Sequence, residues 1–126
     1  MEAALDQLGP LEARIMRLVW DRHVEQPVFV VRTILALMPD LAYTTVMTTL
    51  NRLAEKGILH VTPVPGQRAH QYRAAMDPAG FLVWASGRDA DQMIVRYGDL
   101  ALAAFADRIE QLSPEQRERL RTLIES

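Results

Sequence analysis

The sequence predicts a mostly α-helical protein that contains one small β-hairpin. Apolar residues recur three or four positions apart, the spacing of one helix face, through most of the 126-residue chain. Residues 58–73 depart from that spacing, because two short alternating segments there flank the turn sequence PVPG. With 49% apolar residues and no cysteine, the chain has the composition of a globular protein without disulfides.

Two helices are predicted before the hairpin. Residues 1–8 are expected to be a loose lead-in, and Pro10 begins the first helix, since proline favours the first helical position. This helix runs to about residue 21–23, and Trp20 on it is expected in the core rather than stacked on a base. After a turn at residues 25–27, Val28 begins a short strand that pairs with the hairpin.

The second helix is predicted from Val31 to about Met38. Phe29 and Val30 precede it where a serine or threonine cap would be usual, so a weak cap is expected. Pro39 and the residue after it make the connection to the third helix short, as a helix-turn-helix requires.

The third helix, predicted over residues 41–57, carries the strongest functional signal. Val46, Leu50 and Leu53 define its apolar face, whereas threonine, a β-branched and poor helix former, occupies positions 44, 45, 48 and 49. Short hydroxyl side chains let a helix lie close to phosphates, base edges and thymine methyl groups in a major groove. A solvated face that happens to contain threonine is the alternative. For the threonines at 44 and 45, capping of this helix is a further alternative, because Ala42 is a poor cap.

The hairpin completes a recognisable arrangement. Residues 58–62 form one predicted strand, residues 63–66 a turn, and residues 68–73 the returning strand. Three helices followed by a hairpin predict a winged helix-turn-helix, in which the third helix enters the major groove and the hairpin, or wing, contacts the backbone. Residues 41–76 contain four Arg or Lys and one acidic residue, a net charge of +3 that favours a polyanionic partner.

The tail is predicted to be helical throughout. Asp77 is predicted to cap a helical stretch that begins at Pro78. Gly87 weakens the middle of this stretch, which is therefore either two helices or one interrupted helix, and Gly98 predicts a break after it. A helix over residues 100–112 follows, and Ser113 opens a capping box for the last helix. A segment of this size has too few buried residues to fold by itself, so it is expected to pack on the first domain or on a second copy of the chain. We favour the second copy. We therefore predict two domains: a DNA-binding domain (residues 1–76) and a helical dimerisation region (residues 77–126).

Several segments carry a resemblance to a known family. LAYTTVMTTLNRLAEKGIL (residues 41–59), followed by GQRAHQYR (residues 66–73), resembles the BlaI/MecI/CopY family of winged-helix transcriptional repressors, the penicillinase repressor family. LGPLEARIMRLVWD and VVRTIL resemble the family's first two helices, and LSPEQRERLRTLIES resembles its last. The resemblance implies a dimeric repressor of a two-fold operator. It also implies a link to β-lactam or cell-wall stress, through a membrane sensor-protease that leads to repressor cleavage.

The chain departs from the family at the cleavage site. Some members are cut between Asn and Phe, and the nearest equivalent here, Ala104–Phe105, lacks the asparagine. Phe105 is therefore favoured as part of a dimer core, with inducing cleavage at Ala104–Phe105 as the alternative. The copper-responsive branch carries cysteines in its tail, and this chain has none.

The predicted functional residues form three groups. Those expected to contact bases are Thr44, Met47, Thr48 and Asn51. Those expected to contact the DNA backbone are Thr45, Arg52, Arg68 and His70, the last with a simple strand role as its alternative. Those expected to form the dimer interface are Phe81, Trp84, Ile94, Tyr97, Leu102, Phe105, Ile109, Leu120 and Leu123.

Other classes of function are disfavoured by the motifs. Walker A, Rossmann and nucleophile-elbow patterns are lacking, and the three histidines have no metal-ligand spacing, so neither an enzyme nor a cofactor is expected. A signal peptide and an apolar run long enough for membrane insertion are also lacking, which predicts a cytoplasmic location. The leading prediction is a homodimeric repressor on double-stranded DNA. The alternatives are a winged-helix protein-interaction module, favoured by the net charge of −2, and a small-ligand-responsive repressor of the MarR or PadR type.

Overall fold

The computed structural model describes residues 1–24, 27–66 and 70–125, and it confirms the predicted fold class. These residues form seven helices and one two-stranded antiparallel hairpin. In chain order the elements are α1 (Glu2–Leu5), α2 (Pro10–Trp20), α3 (Val31–Leu37), α4 (Tyr43–Glu55), β1 (Leu59–Pro63), β2 (His70–Ala74), α5 (Pro78–Tyr97), α6 (Asp99–Glu110) and α7 (Pro114–Glu125).

The N-terminal residues are ordered, so the expectation of a loose lead-in is wrong. Helix α1 buries Ala4 and Leu5. Glu2 accepts two hydrogen bonds from the Arg17 guanidinium of α2, at 2.7 and 3.0 Å. A four-residue helix is too short to show helical spacing in the sequence, but burial of the Ala4 and Leu5 side chains on folding stabilises the turn.

Helices α2, α3 and α4 form the helix-turn-helix around a shared core. Its fully buried side chains include Ile15 and Met16 of α2, Ile34 of α3 and Leu50 of α4. The weak cap expected for α3 is observed: Val30 supplies no side-chain acceptor, although its own N–H donates to the Thr33 hydroxyl at 3.2 Å.

Helix α4 begins without a side-chain cap. Ala42 occupies the cap position, so the alternative in which the hydroxyl of Thr44 or Thr45 caps the helix is wrong. The hydroxyl that does bond the backbone belongs to Thr49, which is buried and donates to the Thr45 carbonyl at 2.8 Å. Gly57, with φ of +83°, follows the helix in the left-handed conformation expected there.

The wing is the β1–β2 hairpin. Strand β1 begins one residue later than predicted, both strands end one residue later, and the predicted start of the returning strand at residues 68–69 lies outside the described residues. Val61 lies opposite Tyr72, and Leu59 lies opposite Ala74. The strand predicted at Val28 is reduced to a single bridge, in which Phe29 and Tyr72 exchange backbone hydrogen bonds of 2.9 and 2.8 Å. This bridge fixes the segment before α3 against β2.

Helix α5 is continuous over 20 residues, so the expectation of an interruption at Gly87 is wrong. One glycine costs a helix interior only about 1 kcal/mol, which a long helix can absorb. The predicted cap is confirmed, since the Gly80 N–H donates to Asp77 Oδ1 at 2.7 Å. The predicted break is confirmed at Gly98, where φ is +58°, and so is the capping box, in which Ser113 and Gln116 exchange hydrogen bonds of 3.0 and 3.1 Å.

The chain divides into two compact units, residues 1–84 and residues 85–126. The first unit includes the beginning of α5, because Phe81 packs there against Trp20 with 5.9 Å between ring centroids. Trp20 Nε1 also donates to the Met76 carbonyl at 3.0 Å, and the side chain is half-buried, so it lies at the edge of the core rather than inside it. The second unit contains the rest of α5 with α6 and α7, and Ala101 is the only buried side chain among its described residues.

Within the described ranges, none of the helices combines the length and the apolar character that crossing a membrane requires.

Candidate nucleic-acid interface

The outer face of α4, defined by Thr44, Met47, Thr48 and Arg52, is open to solvent. All four side chains are exposed, including 36% of the apolar Met47. On the opposite face Val46, Leu50 and Leu53 are fully buried. The helix is therefore held to the core by one side only. Two hydroxyls, one thioether and one guanidinium remain free to meet a ligand, whereas Thr45 is half-buried at the edge of this face.

The N-terminal end of α4 carries a contact that sequence reasoning missed. The Arg32 guanidinium of α3 lies over the Tyr43 ring, 5.7 Å from its centroid. Both residues are exposed, and Tyr43 directly precedes Thr44. A stacked guanidinium keeps its planar fork of donors, which suits phosphate. The signal in the sequence was an arginine in the first turn of one helix and a tyrosine at the start of the next.

Asn51 is joined to the wing. Its Oδ1 accepts a hydrogen bond of 2.7 Å from the Tyr72 hydroxyl of β2. Tyr72 is only 1% exposed, its ring lies 6.1 Å from that of Phe29, and burial, followed by proximity to Tyr43, raises the pKa of its phenol. Asn51 itself is half-buried. The predicted base contact by Asn51 is thus restricted to its remaining atoms, chiefly the amide NH2.

The wing has one polar outer face. His60 lies opposite Arg73 and Thr62 lies opposite Gln71, and all four side chains are exposed. His70 points to the other face with Tyr72, where it is half-buried and its Nδ1 has no hydrogen-bond partner in the described part of the chain. Its predicted backbone contact therefore stays a prediction. Arg68, predicted for the same role, lies outside the described residues.

Ion pairs divide the cations of the first unit into two sets. Arg14, Arg17 and Lys56 are paired with Asp40, Glu2 and Glu12, at distances of 2.7 to 3.2 Å. Arg22, Arg32, Arg52 and Arg73 form no ion pair with any acidic residue in the described ranges. Arg52 belongs to the outer face of α4, Arg32 lies beside the start of that helix, and Arg73 lies on the outer face of the wing. Their charge is available to a polyanion.

The predicted dimerisation residues differ in how much surface they offer. Ile94, Tyr97, Leu102 and Ile109 are between 38% and 52% exposed. Trp84 and Leu123 are also exposed, and Phe105 and Leu120 are half-buried. Phe81 is only 3% exposed, because the first unit encloses it, so it has little surface left for a second copy.

The predicted cleavage position lies inside a helix. Ala104 is exposed and Phe105 is half-buried, and both belong to the middle of α6. Proteolytic nicking favours exposed loop tips rather than helix interiors. Among the described residues, no three His, Asp or Glu side chains lie close enough together to hold a metal ion.

Comparison with known proteins places the chain beside one family model, two curated relatives and solved structures. The family model described as penicillinase repressor matches residues 8–126. The transcriptional regulator BlaI of Mycobacterium tuberculosis, from strain CDC 1551 / Oshkosh and from strain ATCC 25618 / H37Rv, is 46% identical over 70 residues. These residues are 56% of this chain and 49% of each relative, so the match spans about half the length of the curated relatives. A crystal structure of a transcriptional regulator is 20% identical, with a TM-score of 0.46, over 90% of this chain and 87% of that chain.

Proposed function

Because this chain belongs to the penicillinase repressor family, we propose that it binds double-stranded DNA and represses transcription. The observation that carries the proposal is the outer face of α4. This helix buries one side completely and exposes short hydroxyls, Met47 and Arg52 on the other. In a helix-turn-helix this is the element that enters the major groove.

Base contacts are proposed for the exposed centre of that face. Thr44 and Thr48 can donate to or accept from base edges, and Met47 can contact a thymine methyl group. Asn51 contributes its amide NH2, since its oxygen is bonded to Tyr72. Because these contacts are few, part of the specificity is assigned to sequence-dependent DNA shape.

Backbone contacts are proposed around the edge of the same face. Thr45, Arg52, Arg68 and His70 keep the roles that the sequence predicts. We propose the same role for Arg32, which is stacked on Tyr43 beside the start of α4, and for Arg73, which lies on the outer face of the wing. These contacts set the register of the protein on the duplex and make binding sensitive to salt.

A homodimer is proposed through residues 77–126. The second unit buries Ala101 alone among its described residues and exposes Ile94, Tyr97, Leu102 and Ile109. A second copy would remove this apolar surface from water. Two copies related by a two-fold axis would place two α4 helices on a two-fold symmetric operator.

The induction mechanism is proposed on family membership alone. A β-lactam or cell-wall stress signal, passed through a membrane sensor-protease, would relieve repression. Cleavage at Ala104–Phe105 would require local opening of α6, because a helical backbone must unfold before a protease can bind it.

The proposal is tested by a mobility shift with the intergenic DNA upstream of this protein's own gene, at two salt concentrations. We expect a specific shift that weakens at higher salt and a footprint with two-fold symmetry. No shift at the lower salt concentration would contradict the proposal and would favour the winged-helix protein-interaction module.

Arg52→Ala is expected to weaken binding to every DNA sequence by a similar factor. The substitution removes an unpaired guanidinium, so the slope of log affinity against log salt should fall by about 0.9 for each phosphate that the variant no longer neutralises. Arg119→Ala on α7 is the matched control, because it changes the net charge equally at an exposed position outside the surface proposed to contact DNA. An unchanged slope in Arg52→Ala would remove Arg52 from the backbone contacts.

Thr48→Ala is expected to change base preference more than overall affinity. Thr48 is exposed at the centre of the outer face of α4, and removing one base contact costs about 1–3 kcal/mol at one position of the site. Selection of preferred duplexes from a randomised library measures the change. If affinity and preference are both unaltered, α4 does not contact bases as proposed.

A further inference from the structure

The hydrogen bond between Tyr72 and Asn51 connects the wing to α4. The phenol oxygen lies 2.7 Å from Asn51 Oδ1, the usual length for an O–H···O bond, although the two residues are 21 positions apart. Tyr72 is almost wholly buried and stacks on Phe29, to which its backbone is bonded twice. The fold therefore fixes the position of the phenol oxygen.

The direction of this hydrogen bond determines how the amide of Asn51 is turned. A buried hydroxyl needs an acceptor, and within the described ranges Asn51 is the only side chain bonded to the Tyr72 hydroxyl. Burial raises the pKa of Tyr72, so the phenol is a donor at neutral pH. If the amide were turned round, its NH2 would face the phenol and the phenol hydrogen would lack an acceptor. Oδ1 therefore faces Tyr72.

The amide NH2 of Asn51 consequently faces away from Tyr72. It donates no hydrogen bond to any described residue, and Asn51 is half-exposed, so the group is in reach of a ligand. Asn51 lies one helical turn after Met47 and three residues after Thr48, at the edge of the outer face of α4.

On the basis of the proposed function, we infer that Tyr72 is a positioning residue that fixes the Asn51 amide so that its NH2 group is presented to DNA. A free asparagine amide rotates broadly about its last torsion and loses that freedom on binding. Tyr72 removes this freedom before DNA arrives. The ligand atom must be an acceptor, which is either a base atom such as guanine O6 or N7 or a phosphate oxygen.

A double-mutant cycle on the full-length protein tests this inference. The proteins are the native chain, Tyr72→Phe, Asn51→Ala and the double variant, and the probe is a duplex that the native chain selects from a randomised library. We expect Tyr72→Phe to weaken binding about fivefold, the effect of one hydrogen bond, and Asn51→Ala to weaken it at least as much. The double variant should bind no more weakly than Asn51→Ala, because Tyr72 acts through Asn51.

Repeating the selection with each variant distinguishes the two acceptors. A base acceptor predicts that all three variants lose preference at the same operator position. A phosphate acceptor predicts lower affinity with unchanged preference. Thr122→Val, which removes an exposed hydroxyl from α7, is the matched control for a lost hydroxyl outside the proposed DNA-contacting surface. Its oligomeric state is checked against that of the native chain, and it should then retain native affinity and preference.

Three results would overturn the inference. They are native affinity in a folded Tyr72→Phe protein, reductions in affinity that add in the double variant, and native affinity and preference in Asn51→Ala. The last applies even if Tyr72→Phe fails to fold, which circular dichroism would show. Failure of the proposed function is distinguishable, since the native chain itself would then select no duplex from the library.

Discussion

A protein carrying both Leu102→Asp and Ile109→Asp is expected to be monomeric and to bind its operator about a hundredfold more weakly than the native chain. The two side chains are 52% and 48% exposed and lie two turns apart on one side of α6. Aspartate at both positions would bury unpaired charge in any interface that covers them. A monomer engages one half-site at a time, so it loses the gain from linking two binding events.

Sedimentation equilibrium and a mobility shift on the same samples measure the two effects. Ala103→Asp is the control, because it adds a charge to α6 at an exposed position about 100° around the helix from Leu102. The double variant must also keep the helical content of the native chain. We expect this because both substituted side chains are exposed. A dimer of native affinity would mean that these α6 side chains lie outside the interface, which would leave α5 and α7 to form it.

Periodicity and capping chemistry predicted most of the fold. The buried face of α4 follows from Val46, Leu50 and Leu53 alone, since a 3.6-residue period leaves one way to bury all three. The capping box at Ser113 and the break at Gly98 are local features that neighbouring residues determine. The same segments supported the family resemblance, and the family match over residues 8–126 confirms it.

The features that sequence reasoning missed depend on distant contacts or on small energies. Helix α1 is too short for periodicity and depends on the ion pair between Glu2 and Arg17 and on burial of two side chains. Helix α5 continues through Gly87 because the cost of one glycine is small.

The candidate site could be predicted only in part. Exposure of Thr44, Met47 and Thr48 follows from which face of α4 is buried. The contact of Arg32 with Tyr43 and the bond of Tyr72 with Asn51 join separate elements, so no local pattern contains them. Phe81 also depends on a contact that no local pattern contains. Its place on an apolar helix face of the tail suggested a dimer contact, but Trp20 of the same chain packs against the Phe81 ring.

Trp20→Ala is expected to lower the free energy of unfolding by about 3 kcal/mol, near the lower end of the range for removing a large aromatic side chain. Trp20 is half-buried, contacts the Phe81 ring and donates from Nε1 to the Met76 carbonyl, so truncation removes the aromatic contact and leaves the carbonyl unpaired. Trp20→Phe should cost less, because it keeps an aromatic ring beside Phe81 and gives up chiefly the hydrogen bond, worth about 1 kcal/mol.

Urea denaturation of the two variants and the native chain measures their free energies of unfolding. A mobility shift on the same proteins measures whether the substitutions also change DNA binding. A core role predicts that Trp20→Phe binds DNA with native affinity under conditions in which the variant and the native chain are both folded. Weaker DNA binding by a Trp20→Ala protein of native stability would instead support the base-stacking role that the sequence left as the lesser alternative. The Trp20 indole donates to a backbone carbonyl of its own chain, which leaves its polar atom no part in contacting a base.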